Sequence, residues 1–533
     1  MYLFHPTRPP CVGGLIRWLL CCLGLLYVLA GNALAVKLPD GQRIDTLFYG
    51  SGHAHQIQAN GHTIADIERD ALHREVRRSQ GELTLHTGYT PLGQVAWQRA
   101  SALPFAEDET PQEAQSALWW RYLYDARGEM VETRERLHGR TVYDYDRAGQ
   151  LQLCHTEESG VERFVWDAAG NLLGKNPAQA LPPLLDNLLK RFDGVQYEHD
   201  AWGQVTRRNG TTLQWDAEGR LLRSQNRTHQ ATYRYDALGR RIAQRIEEII
   251  SPGMPPGREE VRETQFVWQG MRLAQERETG RGTRTYIYDP VRTYAPVARV
   301  DRAGSGDTVW YYHTNPAGTA KMVTDAQGKV VWDGLYGAWG KVLANDGGAH
   351  GFAQPLRMPG QYADEVSGLH YNTFRMYDPE AGRFISPDPI GLNGGLNLYQ
   401  YAPNPIGWID PLGLATRIPN PDFSDNLFPA GEGQSNTVSI PMQGGRDLDN
   451  TQAFAESGIS PSEAKGYTWH HMSDFDPDTG KVTMQLVDKS AHKAIPHSGG
   501  VSQYQEYSGT KYGTQESKDF ARNKGWRATK GGC

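Results

Sequence analysis

An aromatic residue followed by Asp-x-x-Gly recurs along the first half of the chain. "YDARG" begins at Tyr124, "YDRAG" at Tyr145, "WDAAG" at Trp166, "WDAEG" at Trp215 and "YDALG" at Tyr235, with "HDAWG" at His199 as a variant. The first three stand 21 residues apart and the last two 20. A repeat of this kind constrains the fold strongly, because each unit must adopt the same local structure and stack on its neighbours. The flanks, as in "RTVYDYDRAGQLQLC" and "ATYRYDALGRRIAQR", are rich in strand-favouring residues. The unit therefore reads as a hairpin. The aromatic ends one strand and buries its ring, Asp starts a tight turn by bonding its own backbone, and Gly supplies the positive φ for the return. A calcium loop is the competing use of Asp-x-x-Gly, and the ligands are too few for it.

At 533 residues the chain is too long for one ordinary core, so two or more domains are expected. Its 14 Trp, 26 Tyr and 59 Gly fit a globular, mainly β body rather than disorder. A net charge of −6 gives the whole chain no basic signature for nucleic acid. The C-terminal region is polarised, however. Residues 415–480 hold three Lys/Arg against ten Asp/Glu, and residues 481–533 hold nine against four. A basic tail such as "KDFARNKGWRATKGG" can follow a phosphate backbone. Lys493, Lys511, Arg522, Lys524 and Arg527 are the candidate nucleic-acid contacts; on charge alone a solvated surface tail is the simpler expectation. The five cysteines are Cys11, Cys21, Cys22, Cys154 and Cys533. No CxxC pair exists, so any metal site must use His, Asp or Glu.

At the N-terminus, Arg8 and Arg17 precede an uncharged run from Trp18 to Gly31, followed by Ala33-Leu34-Ala35. Residues 1–35 are expected to be a signal-peptide-like segment directing export. A single anchor, with membrane contact through residues 15–36, and a non-native start are the alternatives.

The repeats resemble the YD repeats of the Rhs family, polymorphic-toxin carriers that also resemble the C component of insecticidal toxin complexes. The resemblance runs from about Val36 to Leu414. Its most specific stretch is "MYDPEAGRFISPDPIGLNGGLNLYQYAPNPIGWIDPLGL", Met376 to Leu414, which is similar to the segment that ends the family's core. The resemblance implies a mainly β fold in which a YD-repeat ribbon spirals into a hollow shell. Family cores are longer, so a partial shell is expected here. It implies a shell region over 36–375, a self-cleavage element over 376–414, a linker over 415–437 and a toxin domain over 438–533. It also implies interbacterial competition, delivery by secretion-system components such as type VI secretion, action in the target-cell cytoplasm, and a cognate immunity protein as partner.

Asp388 lies in "SPDPIGL" and Asp410 in "IDPLGL". Two carboxylates brought together form an acid/base pair, because repulsion holds one protonated while the other ionises. In the family this arrangement cuts the chain after the second DPxGL, here between Leu414 and Ala415. Arg383 is a candidate to orient a carboxylate. The competing reading is that Asp-Pro-x-Gly merely makes a good turn.

"GYTWHHMSDFDPDTGKVTMQLVDKSAHKAIPHSGG", Gly466 to Gly500, holds four of the seventeen histidines: His470, His471, His492 and His497. "YTWHHMSDF" is a strand candidate, "DPDTG" a turn, and "KVTMQLV" alternates as a half-buried strand does. Asp488 is a good N-cap for a short helix over "KSAHKAI" that weakens before Pro496. Strand, turn, strand, helix is a small α+β unit of the ββα-metal type. Hydrolysis of a phosphodiester on it needs a base for the attacking water and a divalent ion on the phosphate. His471 is the candidate general base, since a neutral imidazole is available at pH 7. His470, His492 and His497 are the candidate metal ligands. The stretch resembles the WHH nucleases of the HNH/endonuclease VII superfamily, which implies a divalent metal cofactor (Mg²⁺, Mn²⁺, Zn²⁺ or Ni²⁺) and a nucleic-acid substrate, DNA before RNA. His492 and His497 are five apart and do not share one face of a regular helix. Pro496 must turn His497 back, or Asp474 or Asp476 replaces it. A metal-free His-dependent ribonuclease, and a displaced carrier or adhesin-like surface fragment, are the alternative functions.

Overall fold

Every repeat turn has the expected chemistry in the computed structural model, which describes residues 24–27, 33–49, 53–102, 112–249, 261–304, 306–345, 352–414, 427–431, 433–472, 475, 479–489, 500–508 and 510–526. One carboxylate oxygen of Asp125 accepts from the backbone N–H groups of Arg127 and Glu129, both at 2.9 Å. The same bonds, to residues two and four on, form at Asp146, Asp167, Asp200, Asp216 and Asp236. The following glycines, Gly128 to Gly239, take φ between 75° and 82°, a region that L side chains avoid.

The Tyr or Trp of the five "YD" or "WD" units ties one hairpin to the one before it. Tyr145 donates its hydroxyl hydrogen to the Met130 carbonyl at 2.7 Å, Trp166 its indole N–H to Leu151 at 2.8 Å, and Tyr235 its hydroxyl to Leu221 at 2.8 Å. Strand register slips immediately before the aromatic, at Asp144/Tyr145, Gln214/Trp215 and Arg234/Tyr235. A bulge repeated in this way adds right-handed twist at each hairpin, so the ribbon curls instead of lying flat.

Among the described residues the ribbon is an antiparallel meander. Strands β1–β13 (Gly24–Arg163) form one sheet and β16–β30 (Arg191–Asn345) another, each in chain order, with the short pair β14–β15 (Val165–Gly174) between them in sequence. The two long sheets meet. Gln80 donates to the carbonyls of Val297 and Tyr312 at 3.1 and 3.0 Å, and Lys321 pairs with Glu135 at 3.2 Å. The expected boundary at residue 35 falls inside β2 (Ala33–Lys37), which pairs with β3 (Arg43–Phe48). Residues 1–23 lie outside the described residues. No helix among those described is long and apolar enough to cross a membrane.

Strands β31–β34 (Tyr362–Phe384) and the chain onward to Leu414 pack into the core of the shell. Trp339, Tyr377, Phe384 and Tyr401 are almost wholly buried together there. Arg208 pairs with Asp378 at 2.6 Å and Arg241 with Asp364 at 2.9 Å, both carboxylates fully buried. Removing one partner of such a pair strands the other and costs about 3–5 kcal/mol. The expected boundary at 375/376 lies within β33 (Arg375–Asp378).

The C-terminal unit has its own core. Strands β35 (Thr437–Pro441), β36 (Tyr467–His471) and β37 (Lys481–Asp488) form an antiparallel sheet in the order β35–β37–β36. Helix Arg446–Ser457 ends at Gly458, whose φ of +67 lets the chain reverse. Trp469, Met484, Leu486, Ile440 and Ala453 pack with Tyr504 of helix Gly500–Ser508 and Ala521 of helix Gln515–Asn523. The sheet also draws in part of the expected linker, since Leu427 bridges to Val487 and the Phe428 N–H donates to Leu486 at 2.8 Å. The helix expected over "KSAHKAI" lies, after Lys489, outside the described residues.

Candidate functional site

The chain carries two constellations of buried ionisable groups that sequence reasoning pointed to. The first surrounds Leu414. Each DPxGL aspartate divides its two oxygens between a turn and a shared cation. Asp388 Oδ1 accepts from the Ile390 N–H and Asp410 Oδ1 from the Leu414 N–H, both at 3.0 Å. Asp388 Oδ2 and Asp410 Oδ2 face the same Arg375 Nη2, at 3.1 and 3.3 Å. Arg375 is itself buried. Its Nε donates to the Gly413 carbonyl, its Nη1 to the Leu398 carbonyl at 3.0 Å, and it stacks 3.6 Å over the Phe384 ring. Asn372 fixes the Asp410 carbonyl at 2.9 Å. Burial raises the Asp388 carboxyl above its ordinary value, Arg375 opposes this, and the charge of Asp410 adds to it. Burial lowers the Arg375 guanidinium, against the pull of both aspartates.

Arg383, the expected orienting residue, does not serve here. It donates to Asn171 Oδ1 and the Asn187 carbonyl and stacks on Tyr399. Arg383 stands opposite Asp378 in the β33–β34 pair, whereas Arg375 opens β33 opposite Asn372. Nearness in sequence favoured the wrong arginine; strand register selects Arg375. Leu414 is described and Ala415 lies outside the described residues.

The second constellation is in the C-terminal unit. Trp469 and His471 oppose Leu486 and Met484 and share the core face of the sheet, while His470 opposes Gln485 on the other face. His470 and His471 are only 3% and 5% exposed. His471 is the last residue of β36, where a strand can turn its side chain toward the next loop. Its Nε2 lies 3.1 Å from Asp449 Oδ2. Tyr512 donates its hydroxyl to the same Asp449 oxygen and stands 3.3 Å from His471 Nε2. Asp449 Oδ1 accepts from the Gln443 N–H at 2.6 Å, so the carboxylate is fixed at both oxygens. Asp449 lies on helix Arg446–Ser457, which also packs Phe454 edge-on against Trp469 at 5.5 Å. Burial, reinforced by Asp449, pushes the Tyr512 phenol upward, so it stays a hydrogen-bond donor.

Sequence reasoning missed Asp449 and Tyr512. The available signal is that Asp449, Ala453 and Ser457, four apart, form the buried face of their helix. His492, His497, Asp474 and Asp476 lie outside the described residues, and those described hold no group of three or more His, Cys, Asp or Glu able to bind a metal ion. Of the basic residues, Lys511, Arg522 and Lys524 are exposed. Arg522 pairs with Asp519 at 2.5 Å. Lys524 donates to the Tyr507 hydroxyl at 2.8 Å and lies over the Tyr507, Phe520 and Trp526 rings. Lys493 and Arg527 lie outside the described residues.

Residues 112–406 match the family model "Teneurin YD-shell", and residues 456–507 match "A nuclease of the HNH/ENDO VII superfamily with conserved WHH". The chain is 43% identical over 410 residues to double-stranded DNA deaminase toxin A of Burkholderia cenocepacia (strain H111), covering 72% of this chain and 28% of that protein. It is 29% identical over 458 residues to toxin protein Tse5 of Pseudomonas aeruginosa, covering 70% and 32%. It is 26% identical over 388 residues to "Probable deoxyribonuclease RhsA" of Dickeya dadantii (strain 3937), covering 68% and 25%. The chain thus spans about a third or less of these relatives. In fold it is similar to the chain in the crystal structure of TcdB2-TccC3-Cdc42, with a TM-score of 0.58 at 18% identity over 74% of this chain and 21% of that one.

Proposed function

The chain belongs to the teneurin YD-shell family, and on that premise we propose that it is the C-terminal part of an Rhs-type toxin of interbacterial competition. A partial shell releases, by self-cleavage after Leu414, a nuclease that hydrolyses nucleic acid, DNA before RNA, in the target cell. The proposed division is shell 36–375, cleavage element 376–414, linker 415–437 and nuclease 438–533, with Leu427 and Phe428 of the linker joined to the nuclease sheet. Export, delivery by a secretion system and a cognate immunity protein follow from the same reading.

The observation that carries self-cleavage is the single Arg375 Nη2 held between two buried aspartates beside the scissile residue. Asp388, whose carboxyl burial raises above its ordinary value, is the acid that donates to the Leu414 carbonyl oxygen. Asp410 takes a proton from the attacking water. The Leu414–Ala415 bond breaks, the departing Ala415 nitrogen receives the proton, and Leu414 is left as a carboxylate.

The observation that carries the nuclease is His471 at the end of β36, its Nε2 held by Asp449 and Tyr512. With Nε2–H donated to Asp449, Nδ1 keeps the lone pair that accepts a proton from water. His470, which opposes Gln485 on the other face of the sheet, would supply one ligand of a divalent ion, with His492 and His497 as the others. When bound, that ion supplies positive charge to the scissile phosphate. The exposed Lys511, Arg522 and Lys524, together with Lys493 and Arg527 of the sequence, are the proposed contacts to the phosphate backbone. The Asp449–His471 pair also suits a metal-free ribonuclease, the second reading.

Purified full chain is incubated with plasmid DNA and with RNA, with and without EDTA. DNA cutting abolished by EDTA is the expected result. RNA cutting that survives EDTA selects the second reading, and no cutting of either leaves a carrier fragment.

A further inference from the structure

The stretch "GLNGG", Gly391 to Gly395, loops beside the proposed cleavage centre, and its three glycines serve two different purposes. Gly391 and Gly395 have φ of +57 and +136, and a Cβ at either would meet open space. They are glycines for backbone conformation. Gly394 is the opposite case. Its φ lies outside the left-handed region, yet a Cβ there would stand 2.2 Å from Asp388 Oδ2, 2.8 Å from Asp388 Cγ and 2.5 Å from the Leu414 carbonyl oxygen. The two oxygens that self-cleavage must bring together converge on the point where a side chain would begin.

We propose that Gly394 is a positioning residue for self-cleavage: the space left by its missing side chain is where the Asp388 carboxyl and the Leu414 carbonyl meet. This rests on the self-cleavage reading above. A Cβ at Gly394 would press on both oxygens, so its absence leaves the Asp388 carboxyl room to donate to the Leu414 carbonyl. The loop is built to hold Gly394 there. Asp388 seeds it, with Oδ1 on the Ile390 N–H at 3.0 Å and its carbonyl on the Gly391 N–H at 2.9 Å. Turns then follow from Asn393 to Ile390 and from Gly395 to Leu392, both at 3.3 Å. Leu392 and Leu396 are 72% and 89% exposed, so the loop's own apolar side chains do not anchor it. Backbone turns and the absence of a Cβ bring it over Asp388.

The test follows the rate of cutting in full-length wild type, Gly394→Ala and Gly395→Ala, by gel and by N-terminal sequencing of the smaller product. Gly394→Ala is expected to slow cutting about 10²-fold, the effect of a misplacement near 1 Å. Gly395→Ala strains the same loop without entering the cleavage centre, and is expected to cut much faster than Gly394→Ala. The pH–rate profile supplies a readout that loop damage would not move. Arg375 and Asp410 are the charged groups facing Asp388. Pushing its carboxyl out of the pocket reduces its burial, so residual cutting in Gly394→Ala should fade at lower pH than in wild type. Wild-type rates in Gly394→Ala, or equal losses in both variants, overturn the proposal while self-cleavage stands. A wild-type chain that never cuts after Leu414 overturns both.

Discussion

Replacing Asp449 by Asn changes one atom in the proposed nuclease centre and removes its negative charge. Asp449 Oδ1 already accepts from the Gln443 N–H, so an Asn is expected to keep its oxygen there and turn its NH₂ toward His471 and Tyr512. His471 Nε2 then faces a donor and must become the acceptor. The proton moves to Nδ1, the nitrogen assigned to the attacking water. The lost contact is a hydrogen bond to a charged group, about 1.5–3 kcal/mol, or roughly 10- to 150-fold in rate. The wrong tautomer adds to this, up to the ~10²–10⁴ associated with positioned proton transfer. We therefore expect kcat to fall about 10²-fold or more, with KM for DNA little changed, because Asp449 is buried and cannot reach the substrate. Plasmid nicking under single-turnover conditions measures the rate, and a thermal melt checks that the unit stays folded. Wild-type turnover in folded Asp449→Asn would refute the assignment of His471 as a base working through Nδ1.

The other expectations are read by simpler assays. Asp410→Asn should leave the chain intact where wild type yields two pieces, the smaller beginning at Ala415; full cutting in the variant sinks the paired-carboxylate mechanism. His471→Ala should lose about 10²–10⁴ in turnover without weakening metal binding. His470→Ala should weaken metal binding, as read by calorimetry, and regain part of its activity in excess Mn²⁺; rescue of His471→Ala instead would exchange the two roles. His138 bridges Asp333 at 2.9 Å and Glu158 at 2.5 Å, and those bonds, Asp333 first, raise it to about 9. Its contribution to shell stability should be complete below its unfolded value near 6.5 and disappear as pH rises through about 9. His138→Gln should flatten that part of the melting-temperature profile, and an unchanged profile would show that the bridge adds nothing.

The legible parts of this molecule are those fixed by short-range chemistry. Asp146 and Gly149 announce a hairpin because each residue's role is met within four positions, and Tyr145 reaches only to Met130 of the preceding hairpin. Two further turns were overlooked: Asp325, which bonds the N–H groups of Gln327 and Lys329 with Gly328 at φ +81 but follows a threonine, and Asp70. Asp70 bonds the N–H groups of Leu72 and Arg74 like the others, but His73, at φ +62, stands where the pattern has Gly. Trp469-His470-His471 was legible as a strand for the same local reason. What was illegible depends on register over long distances. Arg375, not Arg383, faces the aspartates because of where β33 begins. Asp449 reaches His471 across 22 residues through a helix–sheet contact that no local pattern encodes.

A comparison of the aspartates shows why turn and catalyst need not be alternative readings of Asp-Pro-x-Gly. At Asp125, Asp167, Asp216 and Asp236 of the repeats, Oδ1 takes the two turn N–H groups and Oδ2 accepts within the same turn, from Arg127, Asn171, Arg220 or Arg240. Those carboxylates are spent locally and can only shape the ribbon. In Asp388 and Asp410, Oδ1 still holds a turn N–H, but no cation follows within four residues. Asp388 is followed by Pro-Ile-Gly-Leu and Asp410 by Pro-Leu-Gly-Leu. Each Oδ2 is therefore left for a partner elsewhere, and both find Arg375. Giving either aspartate a local cation should return it to a purely structural role. In Leu414→Arg the guanidinium occupies the same fourth position as Arg220 and Arg240, and is expected to draw Asp410 Oδ2 from Arg375 and slow cutting while the Asp410 turn persists. Cutting at the wild-type rate in Leu414→Arg would show that the shared cation, not the freedom of Oδ2, decides the chemistry.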